Sequence, residues 1–255
     1  MADKPKRPER FDLNASGKSG RLVPIAGTAL IIVFAVALVF YIVNTHQKKA
    51  VSATSGPGDA VRVTAANVVT EPGGKPKAVV SLYEDFLCPA CGNFERGFGP
   101  TLSKLVDIGA VAADYSMVSI LDSPRNQDYS SRAGAAALCV ADESVEAFRR
   151  FHSALYSKEL QPAETGTSFH DNARLIELAR EAGAAGSVPE CIKSGKNLSK
   201  VTSEAATAGI RGTPTVKING DDYQWSTPEA FVEKIKTIVG DVPGIDSAAV
   251  APSRL

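Results

Sequence analysis

Two cysteines separated by two residues, Cys88-Pro89-Ala90-Cys91, are the part of this chain whose residue types and spacing can do chemistry. They follow the apolar run Ala78-Val79-Val80-Ser81-Leu82-Tyr83 and open a helical pattern. A helix N-terminus carries partial positive charge and unpaired N–H groups. A thiolate at Cys88 is stabilised there, so its pKa is expected well below the ~8.5 of a free thiol. Pro89 suits the first helical position, where its missing N–H costs nothing. Cys91 is three residues on, on the same face, and can resolve a mixed disulfide. Half of a zinc site is one alternative, but it needs a second cysteine pair at matching spacing. Cys139 and Cys191 are far from the motif and from each other, so no metal is expected. A purely structural disulfide is the other alternative.

Glu84 and Asp85 stand just before the cysteines. Asp85 is a candidate proton relay for Cys91, and Glu84 reads as a solvated loop carboxylate. Phe86, Leu87, Phe94 and Ile210 are candidates for an apolar rim beside Cys88, or for core. His46, His152 and His170 are scattered and read as surface or capping residues.

The elements that position the pair belong to one α/β domain expected over residues 61–240. A short edge strand is expected over 61–70, a turn over 71–77 and a buried strand over 78–83. The helix from Cys88 continues through Phe94, Phe98, Leu102, Leu105 and Val106, with a kink at Gly99-Pro100. Another strand covers 110–120. Residues 125–208 then read as an all-helical insert, with helices over 133–140, 144–157, 171–182, 188–194 and 197–208. Thr215–Ile218 and Tyr223–Trp225 read as a hairpin about Asn219-Gly220. A last helix begins after Thr227.

Outside this domain the composition changes. Residues 1–21 form a basic-leaning polar tail, expected in the cytoplasm. Leu22 to Val43 runs 22 residues without a charge. As a helix that is about 33 Å, enough to cross a ~30 Å hydrocarbon core. Six basic residues precede it, so the positive-inside bias keeps the N-terminus in the cytoplasm and sends the domain that follows across the membrane. A cleaved signal peptide is the competing reading. Residues 44–60 read as a linker and 241–255 as a loosely ordered tail. The 255 residues carry 28 basic and 28 acidic side chains, so no basic excess points to nucleic acid. Four cysteines agree with an oxidising compartment.

The C-x-x-C after a strand, with Gly212-Thr213-Pro214-Thr215-Val216 before a hairpin, resembles the thioredoxin fold. The helical insert resembles the DsbA-like branch. Together with the anchor, the chain is similar to membrane-anchored DsbA-like proteins of mycobacteria and related actinobacteria. The resemblance implies a thioredoxin fold with an inserted all-helical subdomain, preceded by one transmembrane helix. It implies a cis Pro214 and a Thr213 backbone that pairs with substrate peptide. It implies a second disulfide, Cys139 to Cys191, closing about fifty residues and worth ~4 kcal/mol, against the alternative of two free buried thiols. The activity implied is extracytoplasmic oxidation of secreted proteins by the Cys88–Cys91 disulfide, without another cofactor. The partners implied are reduced secreted proteins and a membrane quinone reductase similar to vitamin K epoxide reductase. The best-known DsbA enzymes carry a histidine between the cysteines, where this chain has Ala90. An intermediate potential is therefore expected, between thioredoxin near about −270 mV and DsbA near about −120 mV. A reductase or isomerase on the same fold is the near alternative. A non-catalytic, membrane-tethered binding module is the distant one.

Overall fold

A computed structural model describes residues 51–250 of the chain. The tail over 1–21, the anchor over 22–43 and the first part of the linker lie outside the described residues, as does His46. Among the described residues, no helix is long and apolar enough to cross a membrane.

Six strands form one sheet. In chain order they are β1 (Val51–Ser55), β2 (Val61–Ala65), β3 (Val79–Glu84), β4 (Ala112–Met117), β5 (Thr215–Ile218) and β6 (Asp221–Asp222). Their order across the sheet is β1-β2-β4-β3-β5-β6. β3 and β4 are parallel, and the other neighbours are antiparallel. The β3–β4 crossover is helix α1 (Pro89–Asp107). A parallel pair needs such a connection, and this one starts at the cysteines.

Every residue of β4 is buried, as expected for a strand covered on both faces. Phe94, Phe98, Leu102, Leu105 and Val106 are buried on α1 at helical spacing. Phe98 meets Phe231 of α7 (Pro228–Val239) with ring centroids 6.3 Å apart. Each such side chain contributes about 1.5–3 kcal/mol by leaving water. α1 continues through Pro100 as one span, although proline leaves the Arg96 carbonyl without its helical partner.

The insert comprises α2 (Tyr129–Glu143), α3 (Val145–Leu155), α4 (Asn172–Glu181), α5 (Val188–Ser194) and α6 (Leu198–Thr207). Ser144 caps α3 and Asp171 caps α4, each accepting a backbone N–H three residues on. Cys139 of α2 and Cys191 of α5 are joined by a disulfide.

Three expected boundaries need correction. The linker does not run to residue 60, because Val51–Ser55 pairs with β2 from Val51↔Ala65 to Ser55↔Val61. Gly56, Pro57 and Gly58 form the turn, closed by Gly56 N–H donating to the Ala60 carbonyl at 2.9 Å. Tight turns and flexible linkers share their composition, so only pairing tells them apart. The tail is likewise packed up to residue 250. Val242, Ile245 and Ala248 are buried three residues apart, and Val250 N–H donates to Thr101 Oγ1 at 2.9 Å. The hairpin is tighter than expected, with β6 at Asp221–Asp222 and no strand at Tyr223–Trp225. Asn219 and Gly220 both take positive φ, 53° and 92°, which suits a two-residue turn matched to strand twist. The Asn219 side chain also accepts from Val79 N–H at 2.8 Å and donates to the Lys77 carbonyl at 3.0 Å.

Candidate functional site

The site lies where β3 ends and α1 begins. Cys88 is the N-cap of α1 in extended conformation, and Pro89 is the first helical residue. The approach is a turn in which Cys88 N–H donates to the Asp85 carbonyl at 2.9 Å. Asp85 is fully buried. Its Oδ1 accepts from Leu87 N–H and its Oδ2 from Leu121 N–H, both at 2.9 Å. Burial raises its pKa to about 6, partly offset by Ser130 and those two N–H groups. Both carboxylate oxygens are thus committed to backbone. Asp85 clamps the active-site turn to the segment after β4.

Cys88 is 6 % exposed and Cys91 is wholly buried, and both are free thiols. The two sulfurs differ in acidity. The Cys88 pKa falls to about 5, because Cys91 donates a hydrogen bond to it, supported by Thr213 and by the Cys91 and Ala90 N–H groups. These bonds outweigh the burial that opposes them, as helix-start thiolates require. Burial pushes Cys91 far above an ordinary thiol, and the charges of Glu84 and Cys88 add to that. The pair therefore holds one thiolate and one thiol.

The opposite wall is the loop before β5. The Thr213–Pro214 peptide is cis. Cys88 Sγ lies 3.4 Å from the Thr213 carbonyl oxygen. From the insert side, Gln161 Nε2 donates to the Cys88 carbonyl at 2.9 Å and to the Phe86 carbonyl at 3.4 Å. Gly92 makes room for this carboxamide, since a Cβ there would meet Gln161 Oε1 and Arg96 Nη1. Gly97, in the same helix, has nothing within 4 Å of its would-be Cβ. Gly97→Ala is therefore expected to raise stability by about 0.5–1 kcal/mol in urea unfolding, the usual helical gain. Gly92→Ala is expected to reverse that sign, losing ~1 kcal/mol or more with the Gln161 bonds.

Of the four apolar candidates for a substrate rim, Phe86, Leu87 and Phe94 are core, and only Ile210 reaches the surface. Phe86 stacks on Tyr156 with centroids 4.8 Å apart. Trp225 is the large exposed apolar side chain near them, edge-on to Phe94 and Phe98 at 5.5 Å.

Two further readings fail. Glu84 is 1 % exposed and His152 is 3 % exposed, not solvated. With Glu95 they form a buried cluster whose ligand-type atoms lie within 4.8 Å of one another, a set that suits a divalent cation. The strand register held the missing signal. Val80, Leu82 and Glu84 alternate onto the buried face of β3. His152 similarly falls on the α3 face marked by Phe148, Phe151 and Leu155. His170 is half-buried, with Nε2 2.7 Å from the Leu160 carbonyl oxygen.

A parallel strand leading to a helix that starts at C-x-x-C, facing a cis Thr-Pro, defines a thiol–disulfide exchange site. The thioredoxin family model matches residues 70–237. The chain belongs to that family, as a DsbA-like protein-disulfide oxidoreductase. It is 72 % identical to DsbA from Mycobacterium tuberculosis in its reduced crystal structure, with TM-score 0.74, covering 75 % of this chain and 98 % of that one. It is 70 % identical to the reduced disulfide bond oxidoreductase DsbG of the same organism, with TM-score 0.76, covering 79 % and 97 %. It is also 31 % identical over 160 residues to the serine/threonine-protein kinase PknE of M. tuberculosis. That match takes in 57 % of this chain and spans only 28 % of the kinase's length.

Proposed function

We propose that this oxidoreductase works outside the cytoplasmic membrane, anchored by Leu22–Val43, and introduces disulfides into secreted proteins. The acid pKa of Cys88 carries the direction. A stabilised thiolate favours the reduced enzyme, so its disulfide is a good oxidant. A substrate thiolate attacks the Cys88–Cys91 disulfide at Cys88, and the electron pair of the broken S–S bond leaves with Cys91, which takes up a proton. A second substrate thiolate then attacks the substrate sulfur of the mixed disulfide. Cys88 departs as thiolate, and substrate leaves oxidised with two electrons left on the enzyme.

Thr213 and Pro214 form the wall along which the substrate peptide lies, with backbone pairing at Thr213. The chemistry needs no cofactor beyond the cysteine pair. A membrane quinone reductase similar to vitamin K epoxide reductase removes the electrons. The Cys139–Cys191 disulfide supports an oxidising compartment.

Equilibration of the full chain with glutathione buffers tests the direction. A potential between about −270 and −120 mV is expected. A value at or below that of thioredoxin overturns the oxidase reading in favour of a reductase.

A further inference from the structure

Gln161 reaches the active-site turn from the helical insert. It stands in the loop between α3 and α4, and Pro162 after it restricts its backbone toward the extended region. Its Nε2 donates to the Cys88 carbonyl at 2.9 Å and to the Phe86 carbonyl at 3.4 Å. Its Oε1 accepts from Arg96 Nη1 at 3.0 Å, and the same nitrogen donates to the Tyr156 carbonyl at 2.6 Å. Arg96 on α1 thus ties the start of that loop to its end. The carboxamide can point in one sense only. A guanidinium only donates and a backbone carbonyl only accepts, so Oε1 must face Arg96 and Nε2 the active-site turn. Glutamate would set a carboxylate against two carbonyls here, and methionine would donate to neither.

The Cys88 carbonyl therefore has two donors. Gly92 N–H closes the first turn of α1 onto it at 3.1 Å, and Gln161 takes its other lone pair. A carbonyl held from both sides fixes the peptide that joins Cys88 to Pro89. Cys88 sits at ψ 118°. Rotation about that bond would swing the start of α1 against the sulfur, because side chain and carbonyl hang from the same Cα. Ala90 has no side-chain donor, so the helix start offers the sulfur the N–H groups of Ala90 and Cys91.

We propose that Gln161, braced by Arg96, is a positioning residue for thiol–disulfide exchange: its carboxamide locks the Cys88 carbonyl and so keeps the Ala90 and Cys91 N–H groups aimed at Cys88 Sγ. The role rests on exchange at Cys88 and is the same for an oxidase or a reductase. It gives the insert a part in the chemistry, since the sheet and α1 supply the cysteines while a loop of the insert holds the peptide between them in place. With the lock released, the N–H groups meet the sulfur less squarely, and hydrogen bonds weaken steeply with angle. The thiolate is then less stabilised, and the Cys88 pKa moves up from about 5. The titratable groups that face Cys88 are Cys91 from α1 and Glu84 from the end of β3, and both are kept in the variants that test this.

The full chain, reduced at Cys88 and Cys91, is alkylated across a range of pH, and labelling of Cys88 is followed by mass spectrometry. Gln161→Met is close in length and cannot donate. Its midpoint is expected about one pH unit above the parent's, a tenfold loss of thiolate stabilisation. Its potential in glutathione buffers should fall by about 30 mV, the same tenfold. Gly92→Ala keeps Gln161 but puts a methyl where its carboxamide lies, and should move the midpoint the same way. The double variant should move it no further than the larger single change, because both break one contact. A merely structural role predicts lower melting temperatures and an unmoved midpoint. Midpoints within about 0.3 pH unit of the parent's in folded Gln161→Met and Gly92→Ala, a factor of about two, overturn the role. So do shifts that add in the double variant, since the alanine would then act elsewhere. A parent midpoint near 8 counts against the stabilised thiolate itself, and the role of Gln161 is still decided by the difference between variant and parent.

Discussion

Cys88→Ser is expected to abolish thiol–disulfide exchange, whereas Cys91→Ser is expected to accumulate substrate as a mixed disulfide on Cys88. The asymmetry follows from position. Cys88 is at the helix start beside Thr213, and Cys91 is sealed beneath it. Only Cys88 can be reached, and only Cys91 can complete the intramolecular step. The acidity of Cys88 adds a pH signature. With a pKa of about 5, alkylation of the reduced protein should rise with a midpoint near pH 5 and be flat above pH 6. At pH 5.5 most of Cys88 is thiolate, against roughly one part in a thousand for a thiol of pKa ~8.5. A Brønsted coefficient of about 0.4–0.5 returns part of that gain, leaving roughly 15- to 30-fold faster alkylation than an ordinary thiol. Mass spectrometry of protein labelled at pH 5.5 checks it, and a midpoint near 8 would remove the stabilised thiolate from the mechanism. The same shift links to stability. Because the folded pKa is depressed, the thiolate stabilises the reduced fold fully above the unfolded value of ~8.5. That contribution shrinks on acidification and is gone below about pH 5.

Replacing Cys139 and Cys191 together by alanine is expected to cost about 4 kcal/mol. The bridge spans a sequence separation of 52, and loop-closure entropy at that length gives this size of effect. For a domain of some two hundred residues the melting temperature should fall by about 8–16 °C. The disulfide joins α2 to α5, away from Cys88, so exchange at 25 °C should persist. A melt unchanged within ~1 kcal/mol would mean that packing of the insert helices, with Asn197 set against both sulfurs, already holds them together.

How much of this was legible in residues alone depends on the range of the forces involved. Strand, turn and helix around Cys88 follow from local rules: an apolar run, Pro89 at the first helical position, and apolar residues on a 3.6 period from Phe94 to Val106. The insert helices and the Thr213-Pro214 wall were readable for the same reason, helped by resemblance to a family. So was the placement of Cys88 at a helix start with Cys91 three residues on, because it needs only a helix N-terminus and a three-residue step. Tertiary structure decided the rest. Whether Val51–Ser55 is linker or edge strand depends on a partner strand being there to accept its hydrogen bonds. Asp85 and Glu84 are adjacent carboxylates, yet one clamps backbone and the other faces His152 across a gap of 68 residues in sequence. Strand alternation points Glu84 inward, but only the arrival of α1 and α3 over that face puts Glu95 and His152 against it. Burial of a charge is a property of everything that packs around it, and that is written in no single stretch of the chain.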